Sequence, residues 1–203
     1  MKKIAALLLV LVFILTACGP MYSVKRDKKG IYRTAELEYN MLSTDKGDWG
    51  DMVLFNLVKY VYGSNTFFSA KIVYTYPNKG FSVNLLGMDL GGGAIFGIKK
   101  RNGILISANG GKTVPLKYKT SPVHQVMTSR DSNGMESKTH SETVECMLTP
   151  QQIAYLVNSK SIVITLVGTD PDPTKEKKLE YYFKADNFKI IKQFYDEEIR
   201  NKK

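Results

Sequence analysis

Between Thr66 and Tyr76 the side chains alternate: Phe68, Ala70, Ile72, Tyr74 and Tyr76 fall on one side and mostly polar residues on the other. A repeat of two sets successive side chains on opposite faces, so this stretch fits a half-buried strand and cannot present one apolar face as a helix. Pro77-Asn78-Lys79-Gly80 supplies tight-turn residues, and Phe81, Val83 and Leu85 resume the alternation, which predicts a hairpin over 66–86. The same grammar recurs along the chain. Ala35, Leu37, Tyr39 and Met41 oppose Thr34, Glu36, Glu38 and Asn40. Met52 to Tyr62 is apolar on both faces, so periodicity does not separate a buried strand from a helix segment there, and its β-branched and aromatic content favours strand. Ile104 to Ala108 lies between Asn102-Gly103 and Asn109-Gly110-Gly111, both hairpin signals. Val114, Leu116 and Tyr118 read as inward, Thr113, Lys117 and Lys119 as outward, and Pro115 places that strand at an edge or bulge. Val123 to Ser129 and Thr139 to Leu148 read as two strands around a polar loop, Arg130 to Lys138.

After residue 148 the grammar changes. Thr149-Pro150-Gln151-Gln152 combines a capping hydroxyl, proline at the first helical position and glutamine three residues after the cap, which predicts a short helix near 150–158 with Ile153, Leu156 and Val157 on one face. Ser161 to Gly168 reads as a central strand, and Leu179, Tyr181 and Phe183 as its return after Asp170-Pro171-Asp172-Pro173. A C-terminal helix near 186–200 is expected, capped by Asp186, with Phe188, Ile191, Tyr195 and Ile199 at helical spacing. About ten short strands and two late helices predict a mainly β fold, an antiparallel sandwich or flattened barrel closed by helices.

The N-terminus obeys different rules. Lys2 and Lys3 precede a run of 14 mostly aliphatic residues, Ile4 to Ala17, and small residues precede Cys18. That is the layout of a secretory signal, and the run is too short for a spanning helix, which needs roughly 20 apolar residues. Leu15-Thr16-Ala17-Cys18 resembles the lipobox of bacterial lipoproteins. The resemblance implies removal of residues 1–17, a diacylglyceryl group on Cys18, a lipidated tether over 18–30 and a single β-rich domain over 31–203. Since one acyl chain anchors only marginally, the several chains of a mature lipoprotein are what would hold it on a bilayer. Gly19 stands where an aspartate would resemble an inner-membrane retention signal, which points to the outer membrane in a Gram-negative source. The order of elements over 149–200 also resembles the C-terminal part of uncharacterised β-rich bacterial lipoproteins, a likeness that implies no activity.

Charge and cysteine use bear on partners. Loss of Lys2 and Lys3 with the signal leaves 27 basic against 19 acidic side chains in small scattered clusters, among them Lys25 to Lys29 and Arg200 to Lys203. Basic surface of this kind suits anionic lipid, an acidic envelope polysaccharide or a protein partner; for an exported chain, nucleic acid is not expected. With Cys18 carrying lipid, Cys146 has no disulfide partner, and its place on the apolar side of Val144-Cys146-Leu148 makes it a buried small hydrophobe.

Few residues carry candidate chemistry. His124 and His140 with Glu142 and Glu145 are the one kernel for a metal or acid–base site; His140 and Glu142, two apart, share a strand face that His124 could join. Gly87 to Gly93 lacks the Lys-Ser/Thr and helix start of a phosphate loop, and no Gly-x-Ser-x-Gly occurs. Asp45, Asp48 and Asp51 sit in a turn around Trp49, where acids commonly cap amides. Tyr60, Tyr62, Tyr74, Tyr76, Tyr181 and Tyr182 could stack on sugars; Tyr182 is the best candidate because Tyr181 and Phe183 point to the opposite face. The expectation is a membrane-anchored envelope lipoprotein with a non-enzymatic structural or binding domain and no cofactor. The alternatives are a hydrolase or metal-dependent enzyme around His124 and His140, and a carbohydrate- or lipid-binding module.

Overall fold

The computed structural model describes residues 23–44, 51–77, 103–120, 123–169 and 176–200. Among these residues the fold is mainly β: two antiparallel sheets, the larger curled into a half-barrel, with two helices, one of them C-terminal. The strands are β1 (Ser23–Lys29), β2 (Tyr32–Glu38), β3 (Met52–Tyr62), β4 (Asn65–Pro77), β5 (Ile104–Ala108), β6 (Val114–Pro115), β7 (Val123–Arg130), β8 (Glu136–Leu148), β9 (Ile162–Thr169) and β10 (Glu176–Tyr182). The helices are α1 (Pro150–Val157) and α2 (Ala185–Tyr195), the latter running into a π-helical turn at Asp196–Arg200. Six strands form one sheet in the order β1-β2-β3-β4-β8-β7, and four form the other as β10-β9-β5-β6.

Two short hairpins depend on glycine. Between β1 and β2 the turn is Gly30-Ile31 and between β3 and β4 it is Gly63-Ser64, with Gly30 and Gly63 at φ +60° and +57°. A positive φ at the first turn residue only belongs to the type II′ hairpin turn, which matches the twist of the flanking strands and favours glycine there.

The sheets are joined at both edges. Beyond β6 the chain crosses to the six-stranded sheet, where Lys119 N donates to Glu145 O (2.7 Å) and Met147 N to Lys117 O (2.8 Å). At the other edge Tyr182 N donates to Ser43 O (2.7 Å), while Leu42 N donates to Val53 O (2.8 Å). The inner faces therefore enclose one core, made by Val53, Phe55 and Leu57 of β3, Ala70, Ile72 and Tyr74 of β4, Val144 and Cys146 of β8, Ile104 and Ile106 of β5, and Ile162, Ile164 and Leu166 of β9. Ile153 and Leu156 of α1 and Ile190, Ile191 and Phe194 of α2 add to it. Thr149 caps α1 as expected: its Oγ1 accepts from Gln152 N (3.2 Å) and Gln152 Oε1 accepts from Thr149 N (2.8 Å).

Several expectations are corrected. Residues 23–29, expected within a loop-like tether, form β1 and pair with β2 along their whole length. The inward row Ala35, Leu37 does not continue through Tyr39 and Met41, which are exposed; Tyr39 at φ +60° reverses the phase and turns Asn40 inward. Buried Asn40 is satisfied there, donating from Nδ2 to Phe55 O (2.8 Å) and accepting at Oδ1 from Asn187 Nδ2 (2.7 Å). The neighbours of β4 are β3 and β8, so residues 68–75 are flanked on both sides without the returning strand expected at 81–85, which lies outside the described residues. The loop expected over 130–138 is shorter, since strand pairing reaches Arg130 and Glu136. Asp186 is not the cap of α2; Asn187 Oδ1 accepts from Lys184 N (2.8 Å). The buried stripe of α2 is Asn187, Ile190, Ile191 and Phe194, with Phe188 and Tyr195 only half-buried at its flank.

Candidate functional site

The antiparallel registers of β4, β8 and β7 bring the sequence candidates together on the inner face. Tyr74 and Tyr76 leave β4 on that face, His140 and Glu142 leave β8, and His124 of β7 stands directly opposite Glu142. The rings form a continuous row: Tyr74 to Tyr76 at 4.8 Å, Tyr76 to His140 at 5.1 Å and His140 to His124 at 5.3 Å between centroids. Tyr181 of β10 meets Tyr74 edge-on at 6.4 Å. Glu142 is buried and its Oε1 accepts from the Tyr76 hydroxyl at 3.0 Å. Tyr74 donates to Asp51 Oδ2 at 3.3 Å; burial, then the proximity of Tyr181 and Asp51, push its phenol far above the ordinary range, so it stays neutral.

His124 Nε2 lies 3.1 Å from His140 Nδ1 and the rings are 11° from coplanar. With ring centroids 5.3 Å apart, the nitrogens meet edge to edge rather than face over face. At this distance one nitrogen can donate its N–H to the other, whichever tautomer supplies it, so the pair suits one shared proton and not a chelated ion. Among the described residues no group of three or more His, Cys, Asp or Glu side chains converges as a metal site would require. Burial, His124 and then Lys138 hold the His140 imidazole below its usual range.

A prediction follows for that pair. Removing the like charge at His124 with His124→Ala is expected to raise the pKa of His140, read by NMR titration of its ring protons. In the unaltered protein, a folded pKa below the unfolded value means that the unfolded chain binds the extra proton first. Stability therefore falls as pH drops from about 6.5 through the folded pKa of His140, a slope that His140→Gln should flatten in urea titrations.

Glu145 does not join this cluster, a correction to the four-residue kernel. Being odd-numbered on β8, it points to the opposite face, where it accepts from Tyr60 Oη (2.6 Å), Ser69 Oγ (3.2 Å) and Lys119 Nζ (2.9 Å). Lys119 Nζ also sits 3.5 Å from the Tyr60 ring centroid. Burial raises the pKa of Glu145, but the hydrogen bonds from Tyr60 and Lys119 and the lysine charge outweigh it, so the carboxylate is held below its usual range. The neighbouring Cys146 is fully buried, and burial pushes its thiol up to about 12, which suits a packing residue rather than a nucleophile.

A third polar cluster escaped the sequence reading. Lys59 points inward from β3, its side chain 7% exposed, and its Nζ contacts Glu198 Oε2 at 2.6 Å. Glu198, from the π-helical turn, also accepts at Oε1 from Arg26 Nη2 (3.0 Å) and Nε (3.2 Å). The available signal was Lys59 itself, a lone cation inside the apolar run of β3; its partner, 139 residues away, left none.

The remaining candidates are dispersed. Tyr182 is half-buried, donates its hydroxyl to Glu180 Oε2 (2.8 Å) and bridges Ser43 through its backbone, while Tyr62 is exposed at the end of β3. Cys18, Asp45, Asp48 and Gly87 to Gly93 lie outside the described residues. No protein-family model matches the chain, and neither a curated protein nor a solved structure matches it.

Proposed function

We propose that the chain is a lipid-anchored protein of the bacterial cell envelope, on the outer membrane in a Gram-negative source, whose β-rich domain has a structural or binding role. The observation that carries this reading is the run from Lys2 to Cys18, with Leu15-Thr16-Ala17 directly before the cysteine. The position of β1 supports it: pairing begins at Ser23, five residues after Cys18, so the folded domain starts within about 18 Å of the acylated residue. Binding rather than turnover is favoured because the carboxylates of the three polar clusters are committed to partners, Glu142 to Tyr76, Glu145 to Tyr60, Ser69 and Lys119, and Glu198 to Lys59 and Arg26.

Cys18→Ser is expected to abolish labelled-palmitate incorporation and to move the protein out of the detergent-extractable membrane fraction. Unchanged labelling would sink the anchoring half of the proposal. The other half fails if the purified mature protein turns over envelope glycans, esters or peptides and loses that activity with Glu142→Gln.

A second reading, a carbohydrate-binding module, is favoured by the ring row Tyr74-Tyr76-His140-His124, whose half-buried imidazole end could stack on a sugar. The metal-dependent alternative is decided by metal analysis of chelator-free protein against His124→Ala and His140→Ala.

A further inference from the structure

The inner face of the β1–β2 hairpin passes from apolar to cationic over three cross-strand pairs. Val24 pairs with Leu37 against the core, Arg26 with Ala35, and Lys28 with Arg33 near the turn. Lys59 and Val61 of β3 extend the last two rows. These last two rows, with Glu198 and Asp27, line a recess of about 300 Å³.

Its cations are not equally matched. Arg26 and Lys59 are held by Glu198, and Arg26 also by Glu197 at 3.1 Å. Lys28 and Arg33 are exposed, stand directly opposite each other, and among the described residues neither forms an ion pair. Like charges directly opposed across two strands repel and lower stability. An anion seated between them turns that repulsion into attraction, and a guanidinium fork beside an ammonium is well suited to phosphate oxygens.

We propose that this recess binds the phosphate of an anionic phospholipid headgroup in the membrane that carries Cys18. The choice of source rests on the anchoring reading above. Lys28 is ten residues from Cys18, within about 36 Å even if the chain is fully extended, so β1 can lie along the headgroups. Lys25 and Lys29, on the other face of the same strand and also exposed, add to the attraction toward an anionic surface.

The test uses the full chain as the cell processes it, purified in neutral detergent. Calorimetry would follow titration with dihexanoyl phosphatidylglycerol, dihexanoyl phosphatidylcholine and inorganic phosphate. Phosphatidylglycerol is expected to bind at least about tenfold more tightly than either control. K28E or R33E is expected to weaken it by about the same factor, while Tm stays constant or rises because a like-charge pair has been removed. K189E, an equal charge change on the exposed side of α2, should leave binding intact. Phosphatidylcholine binding as well as phosphatidylglycerol, free phosphate binding as well as the lipid, or K189E acting as strongly as K28E would each overturn the proposal. These soluble probes do not depend on acylation, so a failed palmitate test with intact phosphatidylglycerol binding removes the anchor alone, and the converse removes the recess alone.

Discussion

Glu198→Ala is expected to destabilise the fold by about 3–5 kcal/mol, the cost typical of breaking a buried ion pair by removing one partner. Lys59 sits on the inner face between Ala35 and Phe68 in register, its side chain only 7% exposed, so its ammonium meets water only where it borders the recess. The effect comes from the cation left behind rather than from the attraction lost. Lys59→Met in the Glu198→Ala background should therefore recover most of the loss, because the methionine stem fills similar space without a charge. Urea unfolding would read the single change as a midpoint about 1–2 M lower.

Acid sensitivity gives an independent check on Glu198. Burial raises its pKa, but the hydrogen bonds from Lys59 and Arg26 and their charges outweigh this, so the folded value lies below the usual carboxylate range. A depressed folded pKa means that the stabilisation is present above the unfolded pKa, near 4.5, and is lost as pH falls through the folded value. The Glu198→Ala variant should show a shallower loss of stability below about pH 4.5 than the unaltered chain.

Phe194→Ala is expected to cost a similar amount, about 3–5 kcal/mol, by removing a fully buried aromatic ring. Phe194 is the C-terminal member of the buried stripe that fixes α2 to the half-barrel, and Glu198 follows four residues later and is also buried. A looser α2 would also misplace the Glu198 carboxylate over Lys59. The double change Phe194→Ala with Glu198→Ala should therefore cost less than the two single losses added, by about 0.5–3 kcal/mol in a double-mutant cycle. Strict additivity would show that the helix and the ion pair are independent, against the geometry.

Much of the fold was legible because strands and turns are written in neighbouring residues. β4 and the C-terminal half of β8 follow from side-chain alternation, β3 from its β-branched and aromatic content, β5 from the turn signals on either side of it, and α1 from the four residues Thr149 to Gln152. β1 was missed because only Val24 on its inner face reaches the core, while Arg26 and Lys28 face a charged recess. The stripe of α2 was misphased because Phe188, Ile191, Tyr195 and Ile199 satisfy helical spacing as well as Ile190, Ile191 and Phe194 do. Which of two apolar rows turns inward is set by Asn187, whose amide donates to Asn40 Oδ1 and Met41 O on the barrel wall.

The candidate site divides in the same way. That His140 and Glu142 share a face follows from their spacing of two, and that Glu145 does not follows from its odd number. That His124 meets His140 nitrogen to nitrogen, and that Tyr76 occupies Glu142, required the registers of three strands.

Residue order alone determined where most strands and turns fall, how α1 is capped, which side chains of a strand share a face, and the lipobox-like run ending at Cys18 from which anchoring is proposed. These depend on interactions over one to four residues, whose geometry the backbone repeats. Only the tertiary structure decided that β8 rather than a local hairpin strand pairs with β4, that Glu198 answers Lys59 across 139 positions, and that Lys28 and Arg33 open on a shared recess. Such contacts join distant segments through register and burial, and side-chain identity sets neither until the core has closed around both.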